Sequence, residues 1–499
     1  MKRLALTSLL FVFSACNGGS SPGGTDGSAN VDMTANVGDM TQPNGGDDGG
    51  ISDGGAPDMA KLPPDMTPPN FGCATVPSVP VQISGHITSS RELTCTSVYL
   101  FSGTVFVDAG ATLTIDKGTT VTMNTFASLL IAPGAKIVAI GTAQQPIVFT
   151  SSQLPSARKP GDWGALVLFG LAPGNWGTQT NDMGAQQVIT QSAPDGNTWP
   201  VALPSQFVGG GSVDSDSSGT LSYVRLEYGG TPENSTGQFE VLGLYGVGSG
   251  TTIDHIDMRQ SSFGCFFAEG GSFNAHHLVC QWSGNGGFDF TRGNHSKAQF
   301  LVDQESPFAS AEGLGLKQHN PPNQLAPLTN PTIYNVTVMG TNQSTAPIKD
   351  PFGLFMVRAP SGKVFNLIST GFRAGLNMSS GGGTLAATTL QNSILFNNVD
   401  PSMPGTNICY PLGAYSPDND EDLVPWFTNA AWVNSVADPG LVDPFNANSL
   451  RAMPKTSLTF GAAAPPNDGF FDASATYIGA FKDATDTWAT GNWVVWSQN

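Results

Sequence analysis

Two histidines, His255 and His277, stand 22 residues apart in the matching stretches Thr252-Ile-Asp-His-Ile-Asp-Met258 and Asn274-Ala-His-His-Leu-Val-Cys280. If each stretch is one strand of a repeating coil, the imidazoles stack at about 4.8 Å. Such a pair could hold a transition metal, with Asp254 or His276 beside it; a polar ladder on a strand face uses the same residues. Asp214-Ser-Asp-Ser-Ser-Gly219 offers a different chemistry. Asp214, Asp216 and Ser218 present side-chain oxygens at alternate positions before a glycine, as calcium requires. A coil corner built from Asx turns reads the same way. Polysaccharide hydrolysis needs two carboxylates across a cleft, and Glu227, Asp254, Asp257, Glu269 and Asp289 supply acids without a pair marked by spacing. Arg225, Arg259 and Arg292 are cations for uronate chemistry by position, or partners of nearby acids: Glu227 for Arg225 and Asp257 for Arg259. Tyr228, Tyr245, Phe263, Phe267, Trp282 and Phe288 could stack on sugars or fill an interior. Together these residues suggest a shallow ligand groove containing Tyr228, His255, Glu269, His277, Trp282 and Asp289.

The element that must position them is a solenoid. In Val105 to Gly170, Ala109-Gly110-Ala111 recurs as Pro133-Gly134-Ala135 and Leu113 as Ile137, each 24 residues on. Short β-branched strands with Gly, Asp and Pro corners at this period cannot bury their apolar faces alone, so each coil stacks on the next. The histidine stretches repeat at 22, and Gly264-Cys-Phe-Phe267 maps onto Gly286-Gly-Phe-Asp289 at the same offset. Crossovers between parallel strands are right-handed. The expected fold is therefore all-β, a right-handed parallel β-helix over residues 71–396. Leu171 to Gln206 and Glu305 to Asn330 interrupt the rhythm and read as loops on one flank. Residues 397–499 lose the period and gain tryptophans, which predicts a C-terminal cap over the open end.

Charge narrows the partners. With 38 acids against 20 Lys and Arg, the 499-residue chain carries a formal charge of −18, which argues against nucleic acid. Residues 1–16, MKRLALTSLLFVFSAC, join a basic start to an apolar run, as an export signal does. Its end resembles the bacterial lipobox, which implies cleavage before Cys16, lipid on its sulfur and, with Asn17 following, an outer-membrane location facing the periplasm or the cell surface. Residues 17–70, rich in Gly, Asp and Pro and without an aromatic, predict a disordered stalk. In an exported chain, Cys73 and Cys95, 22 residues apart, predict a disulfide across adjacent coils. Cys265 and Cys280 are a less regular pair, and Cys409 is the odd thiol.

Trp163-Gly-Ala-Leu-Val-Leu-Phe-Gly170 with Ala172-Pro173 resembles a motif of exported bacterial β-helix proteins of the pectin-lyase-like fold, many of them envelope lipoproteins. Gly219 to Tyr228, Gly248 to His255, Phe273 to Ala275 and Tyr477 to Phe481 match that family in the same order. The resemblance implies the fold and the address but no activity. It also implies acidic runs on successive coils; here Ser262 to Phe267 and Asn285 to Asp289 stand there, and only Asp289 keeps its acid. Thr252-Ile-Asp-His255 is similar to a WIDH stretch of pectate lyases, with Thr in place of Trp. The functional expectation is a non-catalytic lipoprotein, held to outer-membrane lipid through Cys16, that binds polysaccharide or another envelope component, with calcium as a candidate ion. A polysaccharide lyase or glycoside hydrolase on the same fold is the alternative, and a passive structural or adhesive element is a third. Acids converging with arginines in one groove would favour the enzyme; a row of exposed aromatics would favour binding.

Overall fold

A computed structural model describes residues 71–73, 79–175, 209–230, 240–306, 312–317, 326–342, 352–358, 360–379, 387–403, 405–411, 423–446 and 452–497. The lipobox, the stalk and most of the loop expected at 171–206 lie outside them.

The strands pair in parallel along three ladders. One runs through Leu166–Phe169, Leu242–Tyr245, Phe266–Glu269 and Phe288–Thr291. The other two share long bent strands, Gly219–Glu227, Thr252–Arg259, Asn274–Gln281 and Lys297–Gln304, whose two halves pair separately with the same halves of the next coil. The chain is a parallel β-helix. Its spacing is the one legible in the repeats: Leu113 lies beside Ile137 and Ile253 beside Ala275. Because side chains alternate across a strand, one residue in two points inward, and equivalent residues stack into columns. Leu221, Ile253, Ala275, Ala298, Ile333 and Val364 form such a column, all buried.

Thr332–Met339 and Lys363–Thr370 continue the series of bent strands, and each of the six turns at one residue in the left-handed region: Tyr223, His255, His277, Phe300, Asn335 and Asn366, with φ between 52° and 63°. Asparagine tolerates that conformation, but an aromatic there is strained. Stacking compensates. Ring centroids of Tyr223 and His255 lie 4.2 Å apart, His255 and His277 4.1 Å, and His277 and Phe300 4.8 Å.

Disulfides join Cys73 to Cys95 and Cys265 to Cys280, and Cys409 is buried and belongs to neither. The C-terminal region does two things. Leu423 and Phe427, from the short helix Leu423–Phe427, enter the main core, and Ser435 pairs with Ile394 on the last coil, so this part covers the open end. Residues 452–497 instead form a strap along the outside, anchored on the bent corner. The Asn392 and Asn366 side-chain amides donate to the Gly461 and Ala463 carbonyls, and Gln299 accepts from the Asp472 amide. The strap then doubles back, with the Asn335 amide donating to Tyr477 O, before reaching Arg225 and Ala143 through Asn492. Trp493, fully buried, packs edge-on against Tyr223 and His255.

Candidate functional site

In 224–227, Val224 and Leu226 point inward, which turns Arg225 and Glu227 outward. One coil on, parallel register sets Asp257 beside Arg225 and Arg259 beside Glu227. Glu227 Oε1 lies 2.8 Å from Arg225 Nε and 3.5 Å from Arg259 Nη1. Burial pushes the Glu227 carboxyl up, but the two guanidiniums outweigh it and hold its pKa below the ordinary value. The strap completes the setting: Arg225 donates to Asn492 O at 2.6 Å and Arg259 donates to Ser497 O. From the preceding coil, the turn Pro155–Ala157 delivers Arg158, whose Nε donates to Gln153 O at 3.1 Å. Between that turn and the strap is a cavity of about 660 Å³, lined by Arg158, Arg225, Glu227, Tyr228, Arg259 and Gln260 among others. Three guanidiniums face one carboxylate, so the cavity is cationic in a chain of charge −18. Asp257 lies beneath the strap beside it, accepting from Gln281 at 2.9 Å and from the Val495 amide at 3.2 Å. Burial raises its pKa to about 7 against the opposing pull of Arg259 and Arg225.

At the corner between the two halves of the bent strands, Asp254 Oδ1 lies 2.8 Å from His255 Nδ1 and 2.9 Å from His277 Nδ1. Burial raises the Asp254 carboxyl, but both histidines outweigh it and hold it well below the usual range. Burial lowers His277, against its hydrogen bond to the Asp254 carboxylate. His276 faces elsewhere, stacked on Phe470 at 4.1 Å, and burial lowers it to about 4.

The residues expected to share one groove occupy three places. His255 and His277 meet at the bent corner. Glu269 and Asp289 sit on the first ladder, where Arg292 Nε lies 2.9 Å from Glu269 and Lys317 lies 2.6 Å from Asp289. Burial raises Asp289 to about 7, against the pull of Lys317. Tyr228 lines the cavity, while Trp282 is buried two coils on, beneath the Arg259 guanidinium at 5.8 Å. A single groove fails because coil position, not proximity in sequence, decides which face a residue takes. Of the aromatics expected to stack on sugars, Tyr245, Phe267, Trp282 and Phe288 are buried, and Tyr228 and Phe263 are half-buried. Asp214, Asp216 and Ser218 each have partners within the protein. Asp214 Oδ1 pairs with His295 at 2.9 Å, Asp216 Oδ2 accepts from the Leu171 amide, and Ser218 is buried with its amide donating to Thr251. Arg259 was expected on Asp257; its close partner is Glu227, shared with Arg225. Sequence reasoning missed Arg158 because it lies on a turn outside the repeat. Its nearness to Glu227 depends on stacking across the interruption at 171–206.

These features define a parallel β-helix that offers a charged cavity on its flank. The chain belongs to the pectate-lyase-like β-helix domain family, whose model matches residues 85–408. No curated protein and no solved structure matches it. The family supports a carbohydrate-related role and nothing finer.

Proposed function

We propose that this protein is an envelope-anchored lipoprotein, held by lipid on Cys16, that binds an acidic polysaccharide without cleaving it. The cavity of Arg158, Arg225, Glu227 and Arg259 is its subsite for a carboxylate-bearing sugar. The observation that carries the reading is the concentration of three guanidiniums around one carboxylate in a strongly acidic chain. Guanidiniums are suited to a sugar carboxylate because they present paired donors in a fixed plane. Tyr228, half-buried at the cavity wall, adds an apolar face with a polar tip.

The lyase or hydrolase reading has two observations in its favour: Glu227 and Asp257 converge with the arginines at this cavity, and Asp257 has a pKa of about 7 beside two of them. The two Asp257 oxygens are taken by Gln281 and the Val495 amide beneath the strap, which favours a structural over a catalytic carboxyl. The test is calorimetric titration of the full chain with polygalacturonate, alginate and neutral glucans. Unsaturated-uronate absorbance and reducing ends are followed in the same samples. Binding of the acidic polymers alone, lost in Arg158→Ala, is the expected result. Cleavage of any polymer would replace this reading with the enzyme, and equal binding of neutral glucans would remove the role of the arginines.

A further inference from the structure

We propose that Asp254, His255 and His277 form a binding site for a divalent transition cation of the zinc class. The ligand atoms of all three lie within 4.8 Å of one another. Asp254 Oδ1 is 2.8 Å from one Nδ1 and 2.9 Å from the other. Donors around one tetrahedral ion with metal–ligand bonds of about 2.0–2.1 Å stand about 3.3–3.4 Å apart, so small outward shifts of the imidazoles and the carboxylate would open the shared vertex to an ion. Two imidazole nitrogens and one carboxylate oxygen suit zinc, cobalt or copper rather than calcium, which takes oxygens.

A plain polar ladder accounts for only part of the arrangement. His277 makes a directed hydrogen bond to Asp254, whereas the buried Nδ1 of His255 is close to the same oxygen but makes no aligned hydrogen bond to it. One carboxylate oxygen therefore serves one imidazole well and the other poorly. A cation at the shared vertex would engage all three atoms at once.

The scaffold holds the donors in place. Each histidine sits at the bend of a strand, in register with the other, inside a stack closed by Tyr223 and Phe300. Trp493 lies 5.1 Å from His255 and Trp488 5.0 Å from His277, forming an apolar wall on one side. Such a shell fixes ligand orientation and limits solvent. The opposite side is open: the Asp254 side chain is 31% exposed and that of His277 21%. An ion can enter there, and three protein donors leave a vertex for water or a ligand group.

The test uses the untagged full chain, stripped of metal, titrated with cobalt(II) at neutral pH and then with zinc. We expect one equivalent of cobalt with the intense visible bands of a tetrahedral site, displaced by zinc. His277→Gln and Asp254→Asn should each weaken zinc binding at least tenfold. His86→Gln should not, since His86 is an exposed single imidazole 2.9 Å from Asp108. Absence of saturable cobalt uptake by the unaltered chain overturns the proposal whatever the variants do. Tetrahedral bands that persist in folded His277→Gln overturn it too.

Discussion

Asp257→Asn is expected to stabilise the protein in mild alkali, and its size follows from the carboxyl's setting. The Asp257 side chain is wholly buried, and its pKa rises from the ordinary 3.8 to about 7. Below pH 3.8 both folded and unfolded chains hold the proton, so pH has no effect through this group. Between 3.8 and about 7 the unfolded chain releases it while the folded one keeps it. Stability therefore falls by about 1.4 kcal/mol per pH unit, about 4 kcal/mol in all, and levels off above pH 7. Asparagine has nearly the same shape and no charge. Its oxygen can accept from the Val495 amide, and its amide group can donate to Gln281 Oε1, which is buried without a hydrogen bond, once that side chain turns over. Asp289, also raised to about 7, gives a pH dependence of the same sign in both proteins. The difference between the two proteins thus isolates Asp257. The assay is urea unfolding from pH 4 to pH 8.5, with hydrogen exchange at the Val495 amide as a local reading. The variant should match the parent near pH 4 and exceed it by several kcal/mol at pH 8. Parallel curves across the range would refute the assignment of a neutral buried carboxyl.

The other predictions concern separate parts of the molecule. Trp493→Ala removes a fully buried indole from the strap and should cost about 3–5 kcal/mol. Protease should then cut residues 461–496 while the coils stay protected. Glu227→Ala leaves the Arg225 and Arg259 guanidiniums without their carboxylate and should cost about 3–5 kcal/mol by chemical denaturation. Because the Glu227 pKa is lowered, the stability it contributes is present above the unfolded value of 4.5 and is lost as pH falls through the folded one. The pH dependence of the Glu227→Ala variant should therefore converge with that of the parent in acid. Replacing both Cys265 and Cys280 by alanine removes a crosslink over 15 residues and should cost about 3 kcal/mol, read as a lower midpoint whose remaining response to reductant comes from Cys73–Cys95.

Much of the fold was legible because a solenoid writes its spacing into the chain. The offset of 24 at Leu113 and Ile137 and of 22 at His255 and His277 are the offsets at which these residues stack. The pairing of Cys73 with Cys95 followed from the same spacing. Periodicity reports which residues share a column, but not which face of the coil a column occupies. That is why Tyr228, His255 and Glu269 were read as neighbours and lie on different sides. The strap left no periodic trace, since it meets the coils through single contacts such as Asn366 with Ala463, 97 residues apart. Arg158 was silent for a related reason. Its turn belongs to an earlier coil, and only the stacking of Val148 beside Arg225 brings it to the cavity.

The strap also alters how force and heat travel through the molecule. A stack joined only between neighbours can lose its last coil while the middle stays whole. Here one segment is tied to Asn392 near one end and to Ala143 toward the other. Peeling the final coil means pulling on a lace threaded through the coils of Asn366, Asn335 and Arg225. Fraying from that end is thereby converted into a shared event. The laced length should open as one unit, and a chain hauled against a surface would hold its shape until the whole seam gives way.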